Sequence, residues 1–304
     1  MEPHYPHQSV LLQEVCAILA PQPGESVLDV TLGLGGHAKA LAEAVGENGS
    51  LLALDADAAN LAIARERLSE VKALVTLHQR NFRDLPQLKL PPVHVLLADL
   101  GLSSPHIDDP ARGFTFRADA PLDMRYDQTR GESAGALLAR SSAEELRTIF
   151  RSYGELPTAH RLATLLAGGN VSSTGALRSK VEEEYGAWVA KQVLPQLFQA
   201  LRIAVNGELE ALDILLKAGP ALLAQGGRMG VISYHSLEDR MVKHVFRALT
   251  TPERDELTGR VSVPAAFELL TSKAIVPSEE EIKANPRARS AKFRAIRRIA
   301  PPTL

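Results

Sequence analysis

Three acidic residues and one glycine-rich turn hold most of the chemistry this sequence can offer. Asp29-Val30-Thr31-Leu32-Gly33-Leu34-Gly35-Gly36-His37 follows the apolar run Ser26-Val27-Leu28 and precedes Ala38-Lys39-Ala40-Leu41-Ala42-Glu43-Ala44. That pattern predicts a strand, a turn and a helix. Glycines in such a turn reach positive φ and let backbone approach a ligand closely. The N–H groups that open the helix then face polar ligand atoms. A second apolar run, Leu51-Leu52-Ala53-Leu54, ends in Asp55, twenty residues past Gly35. A carboxylate there can accept both hydroxyl protons of a ribose. A third run, Val93-His94-Val95-Leu96-Leu97-Ala98, ends in Asp99. Open α/β sheets bind ligands outside the carboxyl ends of their strands, so Gly35, Asp55 and Asp99 are expected around one crevice.

Two nucleoside cofactors compete for this turn. Gly33-x-Gly35-x-x-Ala38 satisfies the dinucleotide fingerprint, which would make the chain a nicotinamide-dependent dehydrogenase. Asp29-x-Thr31-x-Gly33-x-Gly35 equally resembles the acidic glycine turn of methyltransferases that use S-adenosylmethionine. The acid inside the turn separates them. Asp29 would repel a pyrophosphate and attract the ammonium and sulfonium of S-adenosylmethionine.

Further along, Ser233-Tyr234-His235-Ser236-Leu237-Glu238-Asp239-Arg240 packs ionisable groups directly behind the strand pattern Gly227-Arg228-Met229-Gly230-Val231-Ile232. His235 and Asp239 are candidates for orienting a substrate amine or taking its proton. No His or Cys stands at metal-ligand spacing from His235, so no metal is expected. The stretch from Asn285 to Arg298 holds six basic residues and no acid. Phosphate contact would explain it, and so would a charged strand edge. The single cysteine, Cys16, shares an apolar helix face with Leu12 and Leu19 and is expected in the core. Covalent activation of a pyrimidine ring by a thiolate is therefore disfavoured. Methylation of an exocyclic amine needs no such nucleophile. It needs alignment of nitrogen, methyl carbon and sulfur, and an acceptor for the amine protons.

The elements that must position these groups follow from the pattern. Strand and helix alternate to about residue 105, which implies a parallel sheet covered on both faces. From Ser133 to about Glu210 the pattern is helical, with segments beginning at Ala134, Ala143, Pro157, Thr174 and Gly186. The sheet pattern resumes at Gly227, and Ser290 to Ile299 could supply a last, antiparallel strand. The expected organisation is α/β, with residues 1–108 and 207–304 forming one domain and 109–206 an inserted helical domain. Composition agrees with a globular protein: 45% hydrophobic, 23% charged, formal net charge −2. Any nucleic-acid role must then rest on local charge. One thiol and no long apolar run point to the cytoplasm, with no membrane partner.

With these segments together, the chain resembles the ribosomal RNA small-subunit methyltransferase H family. The resemblance is carried by His7-x-x-Val10-Leu11-Leu12-x-Glu14, the turn from Asp29 to His37, Asp55-x-Asp57, Asn81-Phe82 and Asp99-Leu100-Gly101-x-Ser103-Ser104. It continues through Arg112-Gly113-Phe114-x-Phe116, Pro121-Leu122-Asp123-Met124-Arg125, Phe198 to Asn206, His235 to Arg240 and the Asn285 to Arg294 tail. It implies a class I S-adenosylmethionine-dependent methyltransferase (Rossmann-like) sheet with an inserted helical domain. The implied reaction makes N4-methylcytosine in the decoding region of small-subunit ribosomal RNA. The implied cofactor contacts are Gly35, Gly36, His37, Asp55, Phe82, Asp99 and His106, the last where many members carry Gln. The inserted domain and the basic tail are the candidate RNA holders.

Overall fold

The computed structural model describes residues 9–255 and 258–299. The chain divides into two compact units, one running up to Gly101 and again from Glu210 on, the other Leu102–Leu209.

The first unit is built on strands β1 (Ser26–Asp29), β2 (Ser50–Asp55), β3 (Leu74–Gln79) and β4 (Val93–Asp99). Helices α1 (Leu12–Leu19), α2 (Gly36–Val45) and α3 (Ala58–Arg67) lie between or before them. After the second unit the sheet is completed by β5 (Leu223–Ser233), β8 (Phe267–Leu269) and β9 (Lys292–Arg298). The seven-stranded order is β3-β2-β1-β4-β5-β9-β8. Its first five strands run parallel, and β9 is antiparallel to both β5 and β8. This is the class I methyltransferase-type sheet expected from the sequence, including its antiparallel strand. A three-residue strand such as β8 is too short to show a period of two, and the sequence reading passed over it.

Alternation along the strands sends side chains to two cores. Val27, Leu51, Ala53, Val95, Leu97, Ile232 and Phe293 pack on one face with buried residues of α1, α2 and α3. Leu28, Leu54, Leu96, Ala98, Met229, Val231 and Ile296 pack on the other. There they meet α9 (Glu208–Leu222) through Leu212, Leu215 and Leu216, and α10 (Ser236–Leu249) through Val242 and Phe246. Between α10 and β9 in sequence lie a small hairpin, β6 (Glu253–Arg254) with β7 (Val261–Val263), and α11 (Glu279–Ala284).

The second unit holds α4 (Ser104–Asp108), α5 (Ala134–Arg140), α6 (Ala143–Gly154), α7 (Ala159–Leu166) and α8 (Thr174–Asn206). Its core, from Leu122 and Met124 through Leu146, Phe150 and Leu162 to Leu197 and Leu201, comes from its own residues. Ser142 and Glu145 form a capping box at the start of α6. Helix α8 is interrupted at Gly186 (φ 76°, ψ 154°), where the sequence pattern starts a new helical segment. Asn206 closes the unit: its side-chain NH₂ donates to Met124 O at 2.8 Å and its Oδ1 accepts from Tyr126 N–H at 2.9 Å.

Candidate active site

Four adjacent strands present their carboxyl ends side by side. β2, β1 and β4 end in Asp55, Asp29 and Asp99, and Tyr234 follows the end of β5. The turn after β1 is stitched to its neighbours. Leu32 N–H donates to Leu54 O at 2.8 Å and Val30 N–H to Leu97 O at 3.0 Å. Gly33 N–H donates to Asp55 Oδ2 at 2.7 Å, and Asp99 N–H donates to Thr31 Oγ1 at 2.6 Å. Gly35 adopts φ 79° and precedes α2 without giving it a side-chain cap. The glycine requirement there comes partly from the chain itself. A Cβ at Gly35 would lie 3.2 Å from Ala64 Cβ, and one at Gly36 would lie 2.0 Å from Ser9 Oγ.

Asp29 is 1% exposed and accepts from Thr31 N–H at 3.0 Å. Burial pushes its carboxyl up to about 6, although the Thr31 N–H and the His37 charge pull the other way. At 1% exposure it offers no open contact surface. Asp55 accepts from Asp57 N–H at 2.7 Å as well as from Gly33. Burial pushes it up to about 7 against those two N–H groups. The Asn60 amide adds longer contacts to both oxygens, at 3.4 and 3.3 Å, which a ligand hydroxyl would have to share or displace.

His37 is buried and uses both ring nitrogens. Its Nε2 lies 2.9 Å from Val10 O and its Nδ1 3.4 Å from Asp99 Oδ2. A carbonyl only accepts, so Nε2 carries a proton. A neutral ring would then aim a lone pair at a carboxylate, and a second proton removes that conflict. Burial works against the charged ring, but the hydrogen bond to Asp99, the charges of Asp99 and Asp29, and Val10 O together raise its pKa. His37 is thus a side chain that holds Asp99. Tyr234 donates its hydroxyl to the other oxygen, Asp99 Oδ1, at 2.8 Å. The Asp99 side chain remains 25% exposed, so it can accept from one more donor outside the protein. Sequence reasoning did not single out Tyr234. Its only signal was its place at a strand end beside His235.

Phe82 opens a 3-10 turn after β3, capped by Asn81, whose Oδ1 accepts from Arg83 N–H at 3.0 Å. Its ring is partly buried against the second core of the sheet.

Three further candidates have protein partners of their own. His106 lies in the second unit with its ring in an aromatic cluster, 5.2 Å from both Tyr126 and Phe114. Its Nδ1 is 3.0 Å from Ser103 Oγ, where it helps cap the start of α4. His235 is the N-cap of α10. Its Nδ1 takes Glu238 N–H at 3.4 Å and its Nε2 lies 3.2 Å from Glu238 Oε1. Asp239 is held by Arg294 at 2.7 Å and Lys292 at 3.1 Å. Burial opposes its charge, but hydrogen bonds to the two cations hold it below the usual carboxylate range, which makes it a poor proton acceptor. β9 lies between β5 and β8, and four of its basic side chains have partners: Lys292 and Arg294 on Asp239, Arg297 on Glu268, and Arg298 on Pro220 O. Cys16 is half-buried against the first core with its pKa raised by burial, so it is not a thiolate nucleophile.

The sequence profile of the MraW methylase family matches residues 4–299 of this chain. Ribosomal RNA small subunit methyltransferase H of Sorangium cellulosum (strain So ce56) is 44% identical over 303 residues, spanning 96% of this chain and 91% of that protein. The protein of the same name from Cyanothece sp. (strain PCC 7425 / ATCC 29141) is 42% identical over 301 residues, spanning 98% and 97%. That of Syntrophotalea carbinolica (strain DSM 2380 / NBRC 103641 / GraBd1) is 43% identical over 310 residues, spanning 97% and 98%.

Proposed function

The chain belongs to the MraW methylase family, and from that premise we propose that it transfers a methyl group from S-adenosylmethionine to the exocyclic N4 amine of a cytosine in the decoding region of small-subunit (16S) ribosomal RNA. The observation that carries the reading is Asp99. It is a carboxylate at the end of a central strand, fixed on both oxygens by Tyr234 and His37, yet still open to one outside donor.

The residues present suit the cofactor. The uncapped start of α2 leaves N–H groups for a carboxylate, Asp55 can take a ribose diol, and Phe82 can flank adenine. Asp29 and Asp99 supply negative charge for the ammonium and sulfonium. When bound, S-adenosylmethionine supplies a methyl group already activated by its positive sulfur. The protein's own task is alignment and acceptance. Asp99 would accept a hydrogen bond from the cytosine amine, so that its lone pair leaves conjugation with the ring. The same carboxylate would receive the proton that the methylated nitrogen must shed. The cytosine must leave any stack to reach it. The second unit is the candidate holder of the surrounding RNA, and the cytoplasm the compartment. Among the described residues no helix is long and apolar enough to cross a membrane.

Mass spectrometry of small-subunit ribosomal RNA from cells lacking this protein tests the reading. N4-methylcytosine is expected to disappear, and its retention at full level overturns the proposal. Calorimetric titration tests the cofactor: binding of a nicotinamide dinucleotide in place of S-adenosylmethionine would restore the dehydrogenase reading.

A further inference from the structure

Resting on the reading of Asp99 as acceptor for the target amine, we infer that Tyr234 is the positioning residue that aims it, so that Asp99-Leu100-Gly101 and Ser233-Tyr234 form two halves of one device. β4 and β5 are neighbours with Asp99 opposite Ile232, and Leu100 N–H extends the ladder to Ile232 O at 3.0 Å. Tyr234 lies two residues further and turns back over that end. Three contacts fix it. Its backbone N–H donates to Glu238 Oε2 at 2.8 Å. Its ring lies on Gly101, where an added Cβ would sit 3.0 Å from Tyr234 Cδ2. Its hydroxyl meets Asp99 Oδ1 at 2.8 Å.

Gly101 is therefore required twice, for its φ of 108° and for the ring that covers it. Burial, and then the charge of Asp99, push the phenol well above 10, so the hydroxyl keeps its proton and acts as donor. With His37 on Oδ2, neither carboxylate oxygen is free to swing. The remaining lone pairs point where the two donors leave room. Such alignment matters because a misplacement of about 1 Å can cost a hundredfold in rate. A buried hydroxyl that had merely found a partner would matter to stability alone.

The test uses the full chain, labelled S-adenosylmethionine and small ribosomal subunits from cells lacking the protein, under single-turnover conditions. Tyr234→Phe is expected to lower the methyl-transfer rate by about tenfold or more while both apparent KM values stay within about twofold. In an Asp99→Ala background the same change is expected to cost no further rate, because the hydroxyl acts through that carboxylate. A wild-type rate in Tyr234→Phe overturns the inference, as does a loss confined to KM, or an independent further loss in the Asp99→Ala background. Failure of the wild-type protein to methylate cytosine N4 overturns the proposed function along with it. An active wild type with an indifferent Tyr234→Phe removes this inference alone.

Discussion

Asp55 and Asp99 both cap strands, but their partners differ, and so should the effects of losing them. Asp55 is braced by the turn through Gly33 N–H, and under the proposed function its partner is the ribose. Asp55→Ala should weaken S-adenosylmethionine binding by roughly ten- to a hundredfold, the range for hydrogen bonds to a charged group, with turnover at saturation nearly kept. Asp99→Ala should also cut turnover, by about a hundredfold or more if it handles the amine proton. Calorimetry combined with saturation kinetics separates the two. A second consequence concerns pH. Asp29 and Asp55 are raised from 3.8 to about 6 and about 7, so the folded protein holds protons that the unfolded chain has already lost. Their contribution to stability is complete below about pH 4 and lost as pH rises through 6 and 7. His37, also raised, acts with the same sign at its own folded pKa. Urea unfolding should show stability falling across that window, and Asp29→Asn/Asp55→Asn should flatten the fall by on the order of 3 to 4 kcal/mol per group. The acids were legible because each ends an apolar run. Their partners Tyr234 and Arg294 were not, because only strand pairing brings residues so distant in sequence together. The capping role of His235 was masked by its type, since His is not a favoured N-cap. The signal available was Glu238 three residues on.

At the scale of elements, two glycines serve opposite geometries. Gly36 lets residues 9–11 pass over the start of α2, where Ser9 Oγ would meet a new Cβ at 2.0 Å. Ser9 Oγ must change rotamer and Ser9 Cβ stays 3.3 Å away, so Gly36→Ala should crowd residues 9–11 and cost about 1–3 kcal/mol in urea unfolding. Gly186 has nothing within 4 Å of an added Cβ, and only its backbone (φ 76°, ψ 154°) resists substitution. Gly186→Ala should therefore cost about 1–3 kcal/mol of backbone strain. The helical segments were readable because caps such as Ser142 and Ser173 announce them. The short strands and the hairpin were not, since two or three residues carry no period.

For the molecule as a whole, the sheet was legible as alternating elements, and the interruption as a change of period. The second unit's beginning at Leu102 was less so, because α4 carries the same Ser-Pro start as any αβ-type turn. If the second unit holds the RNA, ultraviolet cross-linking of the protein to small subunits should map to residues 102–209 rather than to β9, whose cations are already paired. Cross-links concentrated at Lys292 to Arg298 would refute that assignment. The interruption also sets a timetable for biosynthesis. β4 is complete at Asp99 and pairs with β1, but its other neighbour begins only at Leu223. A ribosome thus delivers half a sheet with a raw edge, the state in which chains aggregate. The intervening residues have a core of their own, and their early collapse would shorten the effective loop that must close before β5 can dock. Damage to that core should then surface as slow maturation and chaperone dependence of a catalytic centre to which it donates none of the acids.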